Sequence, residues 1–430
     1  MMPKSLHCSQ EHDNRIESRG QRRRLRALFI TEFLPWPLDT GGRIRTYHIL
    51  RQIALRHEVT LVTQKLPGDL EGEEQMRALV SRLYSVPLRP RSFLRKTLAA
   101  AAFLISSKPY VAAYSHYCAA LARLISRLTS REPFDIVHLD HLDAAVYLQH
   151  CFPQGAIYLD EHNYETSLLR STYDSTSQSL LRWYLGLQLG KLAHFEQETL
   201  QAVDAVGVVS ARDGQMVAAV APHTDQEVIP NGVDLAYFDI PRQPRTYHVV
   251  AVGSLDWRPN VEGLHWFLDE VWPSVVEARP DATFHIVGRN PHRSLLRRVS
   301  RRVSVAGSVS DIRDHVSDGS AFVVPLRAGG GTRLRVLEAM AMRIPVVSTS
   351  VGVEGLECTH GRQVLIADTA ENFTQQLIAL LDCEALRESI AKEGRHMVEH
   401  CYSWQAIGGR LDTFYRRIVA GSNCASGPIL

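Results

Sequence analysis

The chain has no long apolar run. Among its 430 residues no stretch reaches the ~18 apolar residues that a membrane-spanning helix needs; the longest candidate is Leu98 to Ile105. No apolar segment follows the early charges, so nothing resembles a secretion signal. Cysteine is scarce: seven residues, an odd number, scattered without a CxxC pair or a zinc-ligand spacing. That excludes a disulfide scaffold and a cysteine zinc site, and a reducing cytoplasm is the expected location. Neither sign of charge dominates, with 48 Lys+Arg against 46 Asp+Glu. Residues 1–26 hold seven basic and three acidic side chains, so the rest carries 41 against 43 and is net −2. The basic excess therefore belongs to residues 1–24, which read as a disordered tail. The run Arg293 to Arg302 has no interleaved aromatics and reads as a solvated helix face, so no nucleic-acid partner is expected. The GxGxxG and Walker A fingerprints are both missing.

What is present is alternation. Short apolar runs rich in β-branched residues recur at Leu25–Thr31, Glu58–Thr63, Phe134–Leu139, Ala156–Asp160, Ala205–Val209 and Glu227–Ile229. They resume at Tyr247–Val252, Thr283–Val287, Val303–Ala306, Ala321–Val324, Pro345–Ser348 and Gln363–Ile366. Continuous rather than alternating apolar strands suit parallel sheets covered on both faces. The prediction is α/β: two doubly wound Rossmann-like domains, residues 25–240 and 241–400, joined near the two prolines of 239–246. Trp404, Ile407, Leu411, Phe414, Tyr415 and Ile418 have helical spacing, so 401–420 is a final helix, with 421–430 a tail. Ligands of such sheets lie beyond the carboxyl ends of the strands. The crevice between the domains is therefore the expected site, and the turns after each strand are where to look.

The most informative turn is Gly329-Gly330-Gly331-Thr332-Arg333-Leu334-Arg335-Val336-Leu337-Glu338. Glycines admit a ligand to the backbone, and the helix that follows offers free N–H groups and a positive dipole end to a diphosphate. Arg333 and Arg335 are candidates for neutralising a departing diphosphate. Glu338, one turn on, has the two acceptors that vicinal ribose hydroxyls need. A second turn runs from Gly253 and Ser254 to Asn260. A third carries Gly41 and Gly42 after the first strand. A fourth is Asp160-Glu161-His162-Asn163, where His162 has two readings, a hydrogen bond to a sugar hydroxyl or proton acceptance. His138, Asp140, His141 and Asp143 end another strand and read as a polar acceptor wall rather than a metal site. Gly288, Arg289 and Gly307 are further strand-end residues placed to wall a nucleotide base.

With these residues in hand the chain resembles a retaining glycosyltransferase of family 4, whose two-domain fold is called GT-B, in a Gly-Gly-Gly-Thr-Arg branch. The likeness runs from about Leu25 to Ile418 and is carried above all by Gly329 to Met342 with Pro345-Val346-Val347. It implies that Glu338 holds the nucleotide ribose, His162 lies near the donor sugar, Gly42 lies beside the phosphates, and the last helix crosses back to the first domain. It also implies a nucleotide diphosphate sugar as donor, no cofactor or metal, and retention at the anomeric carbon. Two positions depart from the pattern. Gly330 stands where many members have a glutamate, and Ser254 and Asn260 stand where many have Arg and Lys. Two other functions stay open: a sugar-nucleotide epimerase, and a catalytically silent nucleotide-sugar sensor. The expected acceptor is a glycan or lipid-linked glycan of cell-surface polysaccharide or glycoconjugate synthesis. Arg89, Arg91, Arg95 and Lys96 beside Leu98–Ile105 fit either peripheral contact with an anionic membrane at its inner face or an ordinary core helix.

Overall fold

The computed structural model describes residues 23–88, 102–110, 114–152, 154–329 and 333–425. Outside these lie the first 22 residues, the basic stretch Arg89 to Lys96, and three residues of the glycine turn, Gly330, Gly331 and Thr332.

Two parallel sheets organise the molecule. The first has seven strands in the order β3-β2-β1-β4-β5-β6-β7. These are β1 Arg26–Phe33, β2 Glu58–Lys65, β3 Arg82–Pro87, β4 Ile136–Asp140, β5 Ala156–Glu161, β6 Ala205–Val208 and β7 Asp225–Val228. The second has six in the order β10-β9-β8-β11-β12-β13, namely β8 His248–Val252, β9 Thr283–Val287, β10 Val303–Ala306, β11 Ala321–Val324, β12 Val346–Ser348 and β13 Leu365–Ile366. Each sheet reverses its winding once, between β1 and β4 and between β8 and β11. At the first reversal Leu28 lies between Thr60 and Val137; at the second, Val250 lies between His285 and Phe322. Adjacent connections leave in opposite directions there, and the crevice that opens is the ligand position of doubly wound sheets.

All twelve runs read from the sequence are strands. The thirteenth, β3, is an edge strand with one neighbour and only half-buried side chains, so it carries no continuous apolar run.

The helix Trp404–Ala425 returns to the first domain, and runs five residues past the end read from composition. Its stripe Trp404, Ile407, Leu411, Phe414, Tyr415 and Ile418 is buried against Ala27 and Phe29 of β1 and against Ile49, Leu50 and Ile53 of helix Gly41–Arg56. Burying each such side chain contributes about 1.5–3 kcal/mol. The first domain's core is thus completed by a segment that follows the whole second domain in sequence.

Candidate functional site

Two cavities open at the two reversal points. One of about 530 Å³ is walled by the turns after β1, β4 and β5, including Gly41, Gly42, Arg43, Asp140 and His162. The other, of about 560 Å³, is walled by the turns after β8, β9 and β11, including Gly253, Ser254, Asn260, Arg289 and Arg335. Leu334, at the start of helix Leu334–Ala341, lines both, so the two are halves of one interdomain cleft.

On the first-domain side, Thr40 caps helix Gly41–Arg56 by accepting from the Arg43 amide at 3.4 Å. A Cβ built on Gly41 or Gly42 would meet nothing within 4 Å, so both face open space at the helix N-terminus. Beneath them sits a buried charged network. Arg45 donates to both oxygens of Asp160, from Nε at 2.9 Å and Nη2 at 2.8 Å, with both side chains essentially inaccessible. It also donates to the Pro230 carbonyl at 3.1 Å and to Asn231 Oδ1 at 3.2 Å. Asp140 accepts from the hydroxyls of Thr31 at 2.7 Å and Thr46 at 2.9 Å.

His162 Nε2 lies 3.1 Å from Asp140 Oδ1 and 3.3 Å from Asp160 Oδ2. Burial penalises its imidazolium, but the charge and hydrogen bond of Asp140, helped by Asp160, outweigh that and hold His162 above the usual histidine value. Nε2 serves the two carboxylates, and Nδ1 has no bond among the described residues. Asp160 is held well below the carboxylate range, since Arg45 and His162 together overcome its burial. Both readings of His162 fit this geometry, since its Nδ1 faces the cleft with no bond among the described residues.

The polar wall after β4 also comes together. His141, in a left-handed backbone conformation at φ 73°, bonds Glu165 at 3.0 Å and lies 3.4 Å from Asp143. The only group of His, Cys, Asp and Glu with metal-like spacing among the described residues is His138, Asp140 and Asp160, whose donor atoms fall within 4.8 Å of one another. Its carboxylate oxygens and one histidine nitrogen are already engaged, whereas the buried His138 Nε2 has no hydrogen-bond partner. Both Asp160 oxygens take Arg45, Asp140 takes two hydroxyls and His162, and His138 Nδ1 bonds the Tyr415 hydroxyl. A dication there must displace a buried guanidinium that already supplies the counter-charge.

On the second-domain side, Asn260 Nδ2 donates to the Ser254 carbonyl at 3.0 Å, and Arg289 Nε donates to Ser254 Oγ at 3.0 Å. The serine that replaces an expected arginine thus anchors a different arginine, exposed on the cavity wall. Gly288 lies behind the wall. A Cβ there would sit 1.7 Å from the Gly253 carbonyl oxygen, so glycine is demanded by the close approach of two turns. Gly307 ends β10 at the sheet edge and does not line either cavity.

The two arginines of the glycine turn differ. Arg333 is buried and clamps the turn: it donates to the Val351 carbonyl at 3.0 Å and the Gly329 carbonyl at 2.8 Å, with Glu354 at 3.5 Å. Burial lowers its affinity for the proton, against Glu354. Gly329 has φ 116°, and a Cβ on it would meet Trp257 at 2.7 Å. Arg335 is half exposed on the cavity wall and pairs with Glu338 at 2.5 Å. Burial raises the Glu338 carboxyl, with Arg335 opposing. Glu338 sits one turn inside the helix, with Arg335 on one of its two oxygens, and does not itself line either cavity. Arg289, Arg333 and Arg335 all line the second-domain half of the cleft, Arg333 while it also holds the turn.

Sequence reasoning missed Arg45, the buried cation of the site. A signal was there: Arg45 shares a helix face with Ile49 and Ile53, and a charge on an apolar face demands a buried partner.

Comparison with known proteins agrees with this architecture. A model described as Glycosyltransferase Family 4 matches residues 40–237, and one described as Glycosyl transferases group 1 matches residues 246–383. A GDP-mannose-dependent monoacylated α-(1-6)-phosphatidylinositol monomannoside mannosyltransferase of Corynebacterium glutamicum is 27% identical over 56% of this chain and 65% of its own length. An uncharacterized 44.6 kDa protein in the cps region of Klebsiella pneumoniae is 33% identical over 30% of this chain and 36% of its own. The chain thus spans between about a third and two thirds of the length of these curated relatives. Sucrose-phosphate synthase from Thermosynechococcus elongatus superposes with a TM-score of 0.61 at 17% identity, covering 93% of this chain and 100% of that one. Anabaena HepE in complex with UDP-glucose gives 0.59 at 13% identity, covering 91% and 100%. At these identities the structural likeness is one of fold.

Proposed function

The chain belongs to the family 4 glycosyltransferases of GT-B fold, and from that premise we propose that it transfers a sugar from a nucleotide diphosphate donor to a glycan or lipid-linked acceptor, with retention. The observation that carries the reading is the shared cleft: a cationic half on the second domain, a half with His162 on the first, and Leu334 at their junction.

In this reading the nucleotide lies along Val252 to Asn260, with Glu338 taking the ribose and Arg289 and Arg335 facing the diphosphate. The glycosyl group reaches the junction, where Gly41 and Gly42 give it room and His162 Nδ1 hydrogen-bonds a sugar hydroxyl. The bond from the anomeric carbon to the leaving phosphate oxygen breaks as the acceptor oxygen attacks from the same face, and the acceptor's proton passes to that phosphate oxygen. Fixed cations placed where charge develops lower the barrier, and with three arginines on the wall no metal is required. Capsule-type polysaccharide or glycolipid synthesis is the setting that the relatives' names support.

The test is a screen of UDP-, GDP- and ADP-sugars for binding and for slow acceptor-free hydrolysis. Release of the nucleoside diphosphate supports transfer. An isomerised nucleotide sugar points instead to an epimerase, and binding with no turnover on any acceptor to a sensor.

A further inference from the structure

Helix Ser179–Ala202 turns the wrong side out at its beginning. Leu180, Trp183 and Leu187 are 79%, 56% and 39% exposed. At spacings of three and four they form one apolar stripe that faces away from the core side chains Leu185, Leu189 and Leu192. A second element widens the patch. Lys191 Nζ donates to the carbonyls of Phe103 and Leu104, and Gln188 accepts from the Tyr110 amide at 2.8 Å. These bonds set Leu104 and Ile105, the latter 94% exposed, beside the stripe. A soluble surface scatters its apolar side chains singly; a contiguous set on one hairpin marks a contact.

The charges at the outer end of the hairpin that Ser179–Ala202 forms with the preceding helix Glu165–Ser175 select the partner. Residues 166–187 hold Arg170 and Arg182 against one acid, Asp174, while Glu165, Glu196 and Glu198 lie towards its other end, and Lys108 lies on the neighbouring segment. Apolar tips that include a tryptophan, rimmed by cations, fit the interface of an anionic bilayer, where the tips enter the acyl boundary and the cations meet phosphate. The hairpin also starts at the cleft: Glu165, its first helical residue, bonds His141 at 3.0 Å on the acceptor-side wall.

We propose that the tip of this hairpin, with Leu104 and Ile105, docks the protein on an anionic membrane surface and holds the acceptor half of the cleft beside the headgroups. The docking needs no donor. Its relevance to a lipid-linked acceptor rests on the proposed function.

The experiment is sedimentation of the purified full-length protein with phosphatidylcholine vesicles, with and without phosphatidylglycerol, in the absence of nucleotide sugar. Binding is expected only to the anionic vesicles. The triple variant L180S/W183S/L187S should bind about 30-fold less, each apolar side chain moved part-way into the interface being worth roughly a factor of three. Its thermal midpoint should stay unchanged, because all three side chains are exposed. Brominated lipid should quench the wild-type tryptophan emission and lose most of that effect in Trp183→Phe. Equal vesicle binding by the wild type and the triple variant overturns the proposal. So does a wild type that ignores vesicles but dimerises through the patch, with the triple variant monomeric. Intact vesicle binding with no glycosyl transfer leaves the docking standing and removes the catalytic reading instead.

Discussion

Replacing Arg45 by methionine keeps most of the aliphatic stem and removes the charge. The variant loses two hydrogen bonds to Asp160, at 2.9 and 2.8 Å, and two more to Pro230 and Asn231. Asp160 keeps Tyr158 at 3.0 Å and His162 at 3.3 Å, so it is not wholly orphaned. Breaking a buried pair by removing one partner costs about 3–5 kcal/mol, because the remaining charge stays desolvated. With His162 still beside Asp160, the low end, about 3 kcal/mol, is the expectation. At roughly 2 kcal/mol per M of urea, that moves the first unfolding midpoint down by about 1.5 M. Arg45→Met/Asp160→Asn removes both charges and should recover part of the loss, giving a coupling energy on the order of 1–3 kcal/mol. A midpoint shift below about 0.3 M, or single effects that add within about 0.5 kcal/mol, would refute the claim that this pair organises the site.

Glu338→Ala should weaken nucleotide binding about 10- to 150-fold, the loss of a charged hydrogen bond of ~1.5–3 kcal/mol at 1.4 kcal/mol per decade; an unchanged dissociation constant by calorimetry removes the ribose role. Gly42→Ala should leave the thermal midpoint in place, since its Cβ enters open space, while raising the donor KM; a lowered midpoint with unaltered KM would show that the glycine serves the fold. Burial pulls His138 down to about 4 in the folded protein against 6.5 unfolded. Between those values the unfolded chain binds the extra proton, so stability falls as pH drops from 6.5 towards 4, by roughly 3 kcal/mol for this residue. In His138→Gln the urea midpoint should fall less steeply over that window, and identical slopes would refute the assignment.

Much of the architecture was legible because its signals are local. A strand buried on both faces, such as Phe29 to Thr31 or Val249 to Val252, announces itself as an apolar run, and a strand end announces itself by glycine and polar residues. Gly42, Ser254, Asn260 and His162 were found in that way, and all line the cleft. What was not legible depends on distance in sequence. The role of Arg45 is set by Asp160, 115 residues away. Arg333 and Arg335 are two positions apart and alike as text; Arg333, at the N-cap, reaches back to the Gly329 and Val351 carbonyls, while Arg335, inside the helix, is half exposed on the cavity wall. The edge strand β3 had no second neighbour to require apolar side chains on both faces.

The last helix has a consequence for how the protein is made. Domains generally fold in order as they emerge, but the first domain here is interrupted. Its sheet is complete in sequence at Val228, yet the side chains that cover β1 and helix Gly41–Arg56 arrive only with Trp404 to Ile418. The second domain, an insertion in this sense, has all its strands by Ile366 and is free to fold while its predecessor waits with an uncovered apolar face. Order of synthesis and order of completion are therefore reversed, and the interval between them is when the nascent chain most needs that face shielded.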